Sequence, residues 1–240
     1  MTEASLRHLP SLIQDRFEAS DWRTIQSDMN RQGWAVLSGL LSLEETASLA
    51  LLWNEAQFRS RIIMERYAFG RGEYRYFSYP LPSPVQALRS ALYPHLATIA
   101  NRWNDMLGLR HAYPVEHASF LAHCHAVGQQ RPTPLMLNYG PGDYCCLHQD
   151  LYGSLNFPIQ AVVMLEDAFT GGEFMLTHQG RNEARADVVP LQRGDIVLFA
   201  VNERPERGQR GFVRTKMRHG VSEIRSGHRR TLGLIFHDAR

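Results

Sequence analysis

The chain is expected to be mainly β with supporting helices, built on a jelly-roll core (a double-stranded β-helix). Two observations predict this. Short β-rich runs recur from Leu135 onward, at 135–139, 144–150, 158–166, 172–178, 185–189, 195–201, 211–221 and 229–237. Eight such strands, broken by turn signals such as Gly171-Gly172 and Gln192-Arg-Gly, suit two facing antiparallel sheets enclosing a cavity at one end. Second, the helical patterns all precede them, as a layer that would support a sheet.

At 240 residues the chain is long enough for one well-buried domain spanning 1–240. Within it, 1–32 read as an N-terminal helical segment, 33–130 as helical support and lid, and 131–240 as the jelly-roll catalytic core. The N-terminal segment is polar, with its best helix from Asp21 to Met29. Trp34-Ala-Val-Leu37 is a short strand. Ser42-Leu-Glu-Glu45 fits a capping box, in which the serine oxygen and the glutamate close the first helical turn. Leu49, Leu52, Trp53 and Ala56 follow at helical spacing and belong to the core.

Residues 58–82 interleave arginines with aromatics. Tyr74, Tyr76 and Ser78 alternate with Arg75, Phe77 and Tyr79. One reading is a strand with a buried aromatic face and an exposed arginine. The other is a lid, in which Tyr74 and Tyr76 stack a base and Arg71 and Arg75 meet phosphates. Gly70 and Gly72, on either side of Arg71, would let such a lid move. From 84 to 108, Val85, Leu88, Leu92, Leu96, Ile99, Ala100 and Trp103 form an apolar helical stripe. Pro94 should kink that helix or start a second one. His123-Cys-His125 offers a ligand pair at strand spacing, weighed against histidines bonded to backbone or lining a rim. Residues 128–134 and 202–211 read as loops.

Composition narrows the function classes. No apolar run approaches the roughly 20 residues of a membrane span, and Met1-Thr-Glu-Ala-Ser-Leu6 lacks a signal pattern. Three cysteines, two of them adjacent, make no disulfide framework, so a reducing cytoplasm is expected. Net charge is only +2, too little for a strong field of the whole chain. Residues 201–230 nevertheless hold nine basic and three acidic side chains, a local basic stripe.

The stretch Tyr139-Gly-Pro-Gly-Asp-Tyr-Cys-Cys-Leu-His-Gln-Asp150 ends in an H-x-D pair. On a strand, positions two apart share a face, so His148 and Asp150 can aim at one point. His219 is the candidate third ligand. Two histidines and a carboxylate occupy one face of an octahedral ferrous ion and leave the other open. Arg229 stands ten residues after His219 and shares a strand face with Thr231, Gly233 and Ile235. A lone arginine on such a face suits a dicarboxylate, which guanidinium grips through two parallel hydrogen bonds. His228 and His237 read as bystanders, Cys146 as packing, and Cys145 has no assigned role.

H-x-D, a distant histidine and an arginine ten residues on in G-x-R-x-T resemble the iron(II)/2-oxoglutarate oxygenases. The resemblance covers most of residues 33–238. It implies that His148, Asp150 and His219 bind Fe(II), that Arg229, with Thr231, binds 2-oxoglutarate, and that O2 is cosubstrate. Phe169-Thr-Gly-Gly-Glu-Phe174 and Gln192-Arg-Gly-Asp-Ile-Val-Leu-Phe199 resemble core strands of prolyl-hydroxylase-like members. Tyr139-Gly-Pro-Gly with Leu147-His-Gln-Asp150 is similar to the AlkB-type nucleic-acid demethylases, which nominates Asn138 and Tyr139 as 2-oxoglutarate contacts. The chain departs from that type in carrying Leu151 and Tyr152 where a second Asp is usual. As a whole it resembles a bacterial oxygenase family described as acting on damaged DNA. The implied functions are oxidative demethylation of alkylated DNA or RNA, hydroxylation of a prolyl or other amino-acid side chain, or a non-enzymatic jelly-roll binding or sensing module. The intact ligand set with Arg229 counts against the last.

Overall fold

The computed structural model describes residues 12–180 and 184–240, so the first eleven residues of the expected N-terminal segment lie outside it. Helix α1 covers 12–19. Helix α2 (Trp22–Gln32) starts where the Asp21 carboxylate accepts from the Thr24 N–H and stops at Gly33, whose φ of 78° is left-handed. Strand β1 (Trp34–Leu37) follows, then α3 (Leu43–Glu55), whose capping box at Ser42 and Glu45 is complete.

Two sheets face each other. The seven-stranded sheet runs β1, β11 (Ile196–Ala200), β7 (Ile159–Glu166), β15 (Arg229–Leu234), β5 (Leu135–Tyr139), β4 (Glu73–Phe77) and β2 (Phe58–Ile63). The six-stranded sheet runs β10 (Ala184–Val189), β9 (Phe174–Gln179), β13 (Gly211–Val221), β6 (Tyr144–His148) and β3 (Gly70–Arg71), with β12 (Glu203–Gly208) also paired to β13. A small ribbon joins β14 (Ile224–Gly227) to β8 (Phe169–Gly171). The apolar faces meet between the sheets, where Leu176, Met217 and Phe199 are fully buried.

Three expectations change. Residues 202–211 are not a loop: β12 pairs with β13 from Glu203↔Lys216 to Gly208↔Gly211. Its charges and Pro205 hid it, because proline is tolerated on a strand with a free edge. Of the two alternatives at Pro94, a second helix does not start there, since α4 (Ser83–Met106) runs through it with the predicted apolar stripe buried. His123 and His125 lie on helix α5 (His117–Ala126), not a strand. Two residues apart on a helix is about 200° of rotation, so they diverge, and His125 binds the buried Asp238 carboxylate instead.

The segment from 58 to 77 joins the two sheets. Strand β2 enters the seven-stranded sheet, a 3-10 turn (Met64–Tyr67) and β3 cross to the six-stranded sheet, and β4 returns to pair with β5. Met64, Phe69, Tyr74 and Tyr76 of this strap line the cavity between the sheets. Among the described residues no helix is long and apolar enough to cross a membrane.

Candidate metal centre and cosubstrate pocket

Strand β6 ends on His148, and β13 sets His219 directly opposite it in the ladder. Asp150 lies two residues beyond β6. One donor atom from each residue falls within 4.8 Å of the others. Nε2 of His148 is 3.5 Å from Asp150 Oδ1, and Nε2 of His219 is 3.4 Å from Oδ2. Ligands at right angles on bonds of roughly 2.1 Å would stand about 3 Å apart, so a first-row divalent ion fits with little movement. His148 Nδ1 is 2.9 Å from the Cys146 carbonyl, which turns Nε2 toward the carboxylate. Burial works against the Asp150 charge, yet hydrogen bonds and charge from His148 and His219 hold its carboxyl well below the usual range. Burial and the neighbouring His148 charge lower His219.

These ligands open into a cavity of about 270 Å³ between the sheets. Tyr139, Arg229 and Thr231 line its inner end, and Tyr74 and Tyr76 line one wall. Arg229 is 2% exposed, and its Nε and Nη2 have no hydrogen-bond partner. Tyr139 Oη and Thr231 Oγ1 are likewise buried and unpartnered. Buried polar atoms are almost always paired in folded proteins, so this group of four is arranged for a ligand with several acceptor oxygens. Burial pulls the Arg229 guanidinium down to about 10, which leaves it charged near neutral pH. The chemistry of both donor sets fits iron(II) beside a dicarboxylate.

The other predicted residues are placed differently. Asn138 does not line the cavity. Strand alternation turns it to the opposite face of β5 from Tyr139, where its Oδ1 accepts from Arg230. Arg75 is turned away from Tyr74 and Tyr76 in the same manner, binding Glu73 and the Trp53 carbonyl and lying over the Trp53 ring. Arg71 is exposed on the strap, 3.6 Å from both Glu65 and Asp143. Gly70 and Gly72 serve close approach rather than motion. Both have φ above 120°, and a Cβ would meet the Tyr144 carbonyl at 2.4 Å or the Tyr139 ring at 2.7 Å. Cys146 is exposed rather than packed, whereas Cys145 is buried and lines the cavity. The basic stripe is thinner than its sequence, because Arg204 and Arg229 are buried and Arg230 is engaged with Glu166.

Sequence reasoning missed four lining residues. Phe69 is exposed beside His148, with ring centroids 6.5 Å apart, and Met64 lies near it. Tyr152 and Gln160 hydrogen-bond the Asp150 carboxylate. A signal existed for Gln160, a single amide in the otherwise apolar run 159–165.

The comparisons agree with this architecture. Residues 72–239 match the Oxygenase-NA family, described as oxygenases catalysing oxidative methylation of damaged DNA. An uncharacterized protein of Mycobacterium tuberculosis is 46% identical over 167 residues, covering 68% of this chain and 72% of the relative. The fold is similar to that of a 2OG-Fe(II) oxygenase family oxidoreductase from Burkholderia pseudomallei, with a TM-score of 0.55 at 14% identity, covering 92% of this chain and 93% of the other. A Trichoplax adhaerens prolyl hydroxylase, solved with a hypoxia inducible factor peptide fragment, gives 0.55 at 13% identity, covering 97% and 92%. On the extent of the family match, and on the fold of the 2-oxoglutarate- and iron(II)-dependent enzymes, the chain belongs to the Oxygenase-NA family of oxygenases.

Proposed function

We propose that the protein is an iron(II)- and 2-oxoglutarate-dependent dioxygenase that removes N-alkyl groups from nucleic-acid bases. The observation that carries the chemistry is the set of unpartnered atoms on Arg229, Thr231 and Tyr139 in the same cavity as His148, Asp150 and His219. The histidines and Asp150 would hold the metal. Arg229 would grip the far carboxylate of 2-oxoglutarate, with the Thr231 hydroxyl and Tyr139 phenol beside it. When bound, iron(II) with 2-oxoglutarate and O2 supplies oxidation of a substrate C–H bond, with release of succinate and CO2.

The family's description supports a nucleic-acid substrate, and oxidation fits loss of a methyl group rather than its addition. Hydroxylation of an N-methyl carbon gives a hemiaminal, which breaks down to formaldehyde and the bare base nitrogen. The rim favours a planar substrate group. Phe69 and Leu151 are exposed at the opening, and Tyr67, Tyr144 and Leu147 are exposed on the adjoining segments. Unstacked bases gain from such surfaces.

The test is to give iron-loaded protein and 2-oxoglutarate either methylated single-stranded DNA or a pool of proline peptides. Salt-sensitive succinate and formaldehyde release with the DNA is the expected result. Succinate release with the peptides, and none with DNA, would make the protein an amino-acid hydroxylase and overturn the substrate reading.

A further inference from the structure

We propose that Tyr152 is a positioning residue for Asp150, acting with Gln160 as the device that orients the metal-binding carboxylate. The inference rests on the proposed metal site. Asp150 lies past the end of β6, so no ladder bond holds it. Its side chain is held instead. Tyr152 Oη donates to Oδ1 at 2.5 Å, and Gln160 Nε2 donates to Oδ2 at 3.0 Å. Each carboxylate oxygen thus has one protein donor, and each also faces one of the two histidines.

The hydrogen bonds run in one direction. A carboxylate only accepts, so the Tyr152 proton points at Asp150. The Tyr152 oxygen is then free to accept from Tyr76 Oη at 2.8 Å. The Tyr152 backbone N–H donates to Asn156 Oδ1 at 3.2 Å, which fixes the turn carrying the ring. Tyr76 is itself held, edge-on to Tyr74 and under the Arg59 guanidinium at 4.3 Å. Groups that orient a ligand in this way are typically worth about 10–100-fold in metal affinity.

The test uses cobalt(II) titrated into metal-free protein, read by calorimetry and by the visible spectrum of the bound ion. Tyr152→Phe keeps the ring and removes one donor. It should weaken cobalt(II) binding by about 10–100-fold and alter the spectrum at saturation. Tyr76→Phe should give a smaller loss, since Tyr152 still reaches Asp150. Gln160→Met should weaken binding through the other oxygen, and it carries the test if Tyr152→Phe does not fold. Unchanged affinity and spectrum in both Tyr152→Phe and Gln160→Met would overturn the proposal while leaving the metal site standing. Failure of the unaltered protein to bind cobalt(II) would remove the site, and this proposal with it.

Discussion

Arg229 and Arg230 are neighbours in the chain yet face opposite sides of β15. Arg229 points into the cavity with two guanidinium nitrogens unpartnered, whereas Arg230 reaches Glu166, Asn138 and the Ala50 carbonyl. Such a difference between consecutive arginines supports the proposal that Arg229 binds 2-oxoglutarate. Arg229→Met should raise the 2-oxoglutarate requirement on the order of 100-fold or more, as expected when a buried charge pair loses one partner. The same change should leave the ligand-free protein as stable or more stable by about 1–4 kcal/mol, because an uncompensated buried charge is removed. Denaturant unfolding checks this, and a less stable variant would mean that the guanidinium is already satisfied within the fold.

His148→Ala and His219→Ala should each abolish succinate release and cobalt(II) binding while leaving the circular dichroism unchanged. The ladder pair His219↔His148 depends on backbone rather than imidazole. Turnover in either variant at the wild-type rate would refute the ligand assignment.

Gly72 lies against the Tyr139 ring. Gly72→Ala should destabilise the protein by about 1–3 kcal/mol through its positive φ and also raise the 2-oxoglutarate KM by displacing the Tyr139 ring. Gly128→Ala is the control, since Gly128 has positive φ with open space around it. It should share the stability loss and leave KM unchanged.

His117 gives the pH prediction. Its Nε2 is 2.8 Å from the Phe236 carbonyl, and burial, with Arg89 nearby, lowers its pKa to about 3 from the usual 6.5. The unfolded chain therefore takes up a proton at a higher pH than the folded one. This contribution is complete above about pH 6.5 and falls as pH drops toward 3, by up to about 1.4 kcal/mol per pH unit. The unfolding free energy of His117→Gln should fall less steeply over that window. Equal slopes for the two proteins would show that His117 is not held neutral.

Much of this was legible because a strand has a period of two. That period placed Arg229 and Thr231 on one face and turned Tyr74 and Tyr76 together toward the cavity. The same period overruled the resemblance at Asn138: Tyr139 faces inward, so its neighbour faces out. Long-range partners were not legible. Neither the Tyr76–Tyr152 bond nor the pairing of β3 with β6 leaves a local pattern, since each depends on which segments become neighbours. Strand β12 was hidden because a charged edge strand containing Pro205 has the composition of a loop.

The strap joining the two sheets is fastened unequally. Strand β3 pairs with the six-stranded sheet through Gly70 and Arg71, with the Phe69 carbonyl also accepting from the Cys146 N–H, while β4 is paired with β5 over four residues. The tyrosine wall of the cavity is therefore tied to the larger sheet over four rungs, and Phe69 beside His148 to the smaller sheet by a shorter seam.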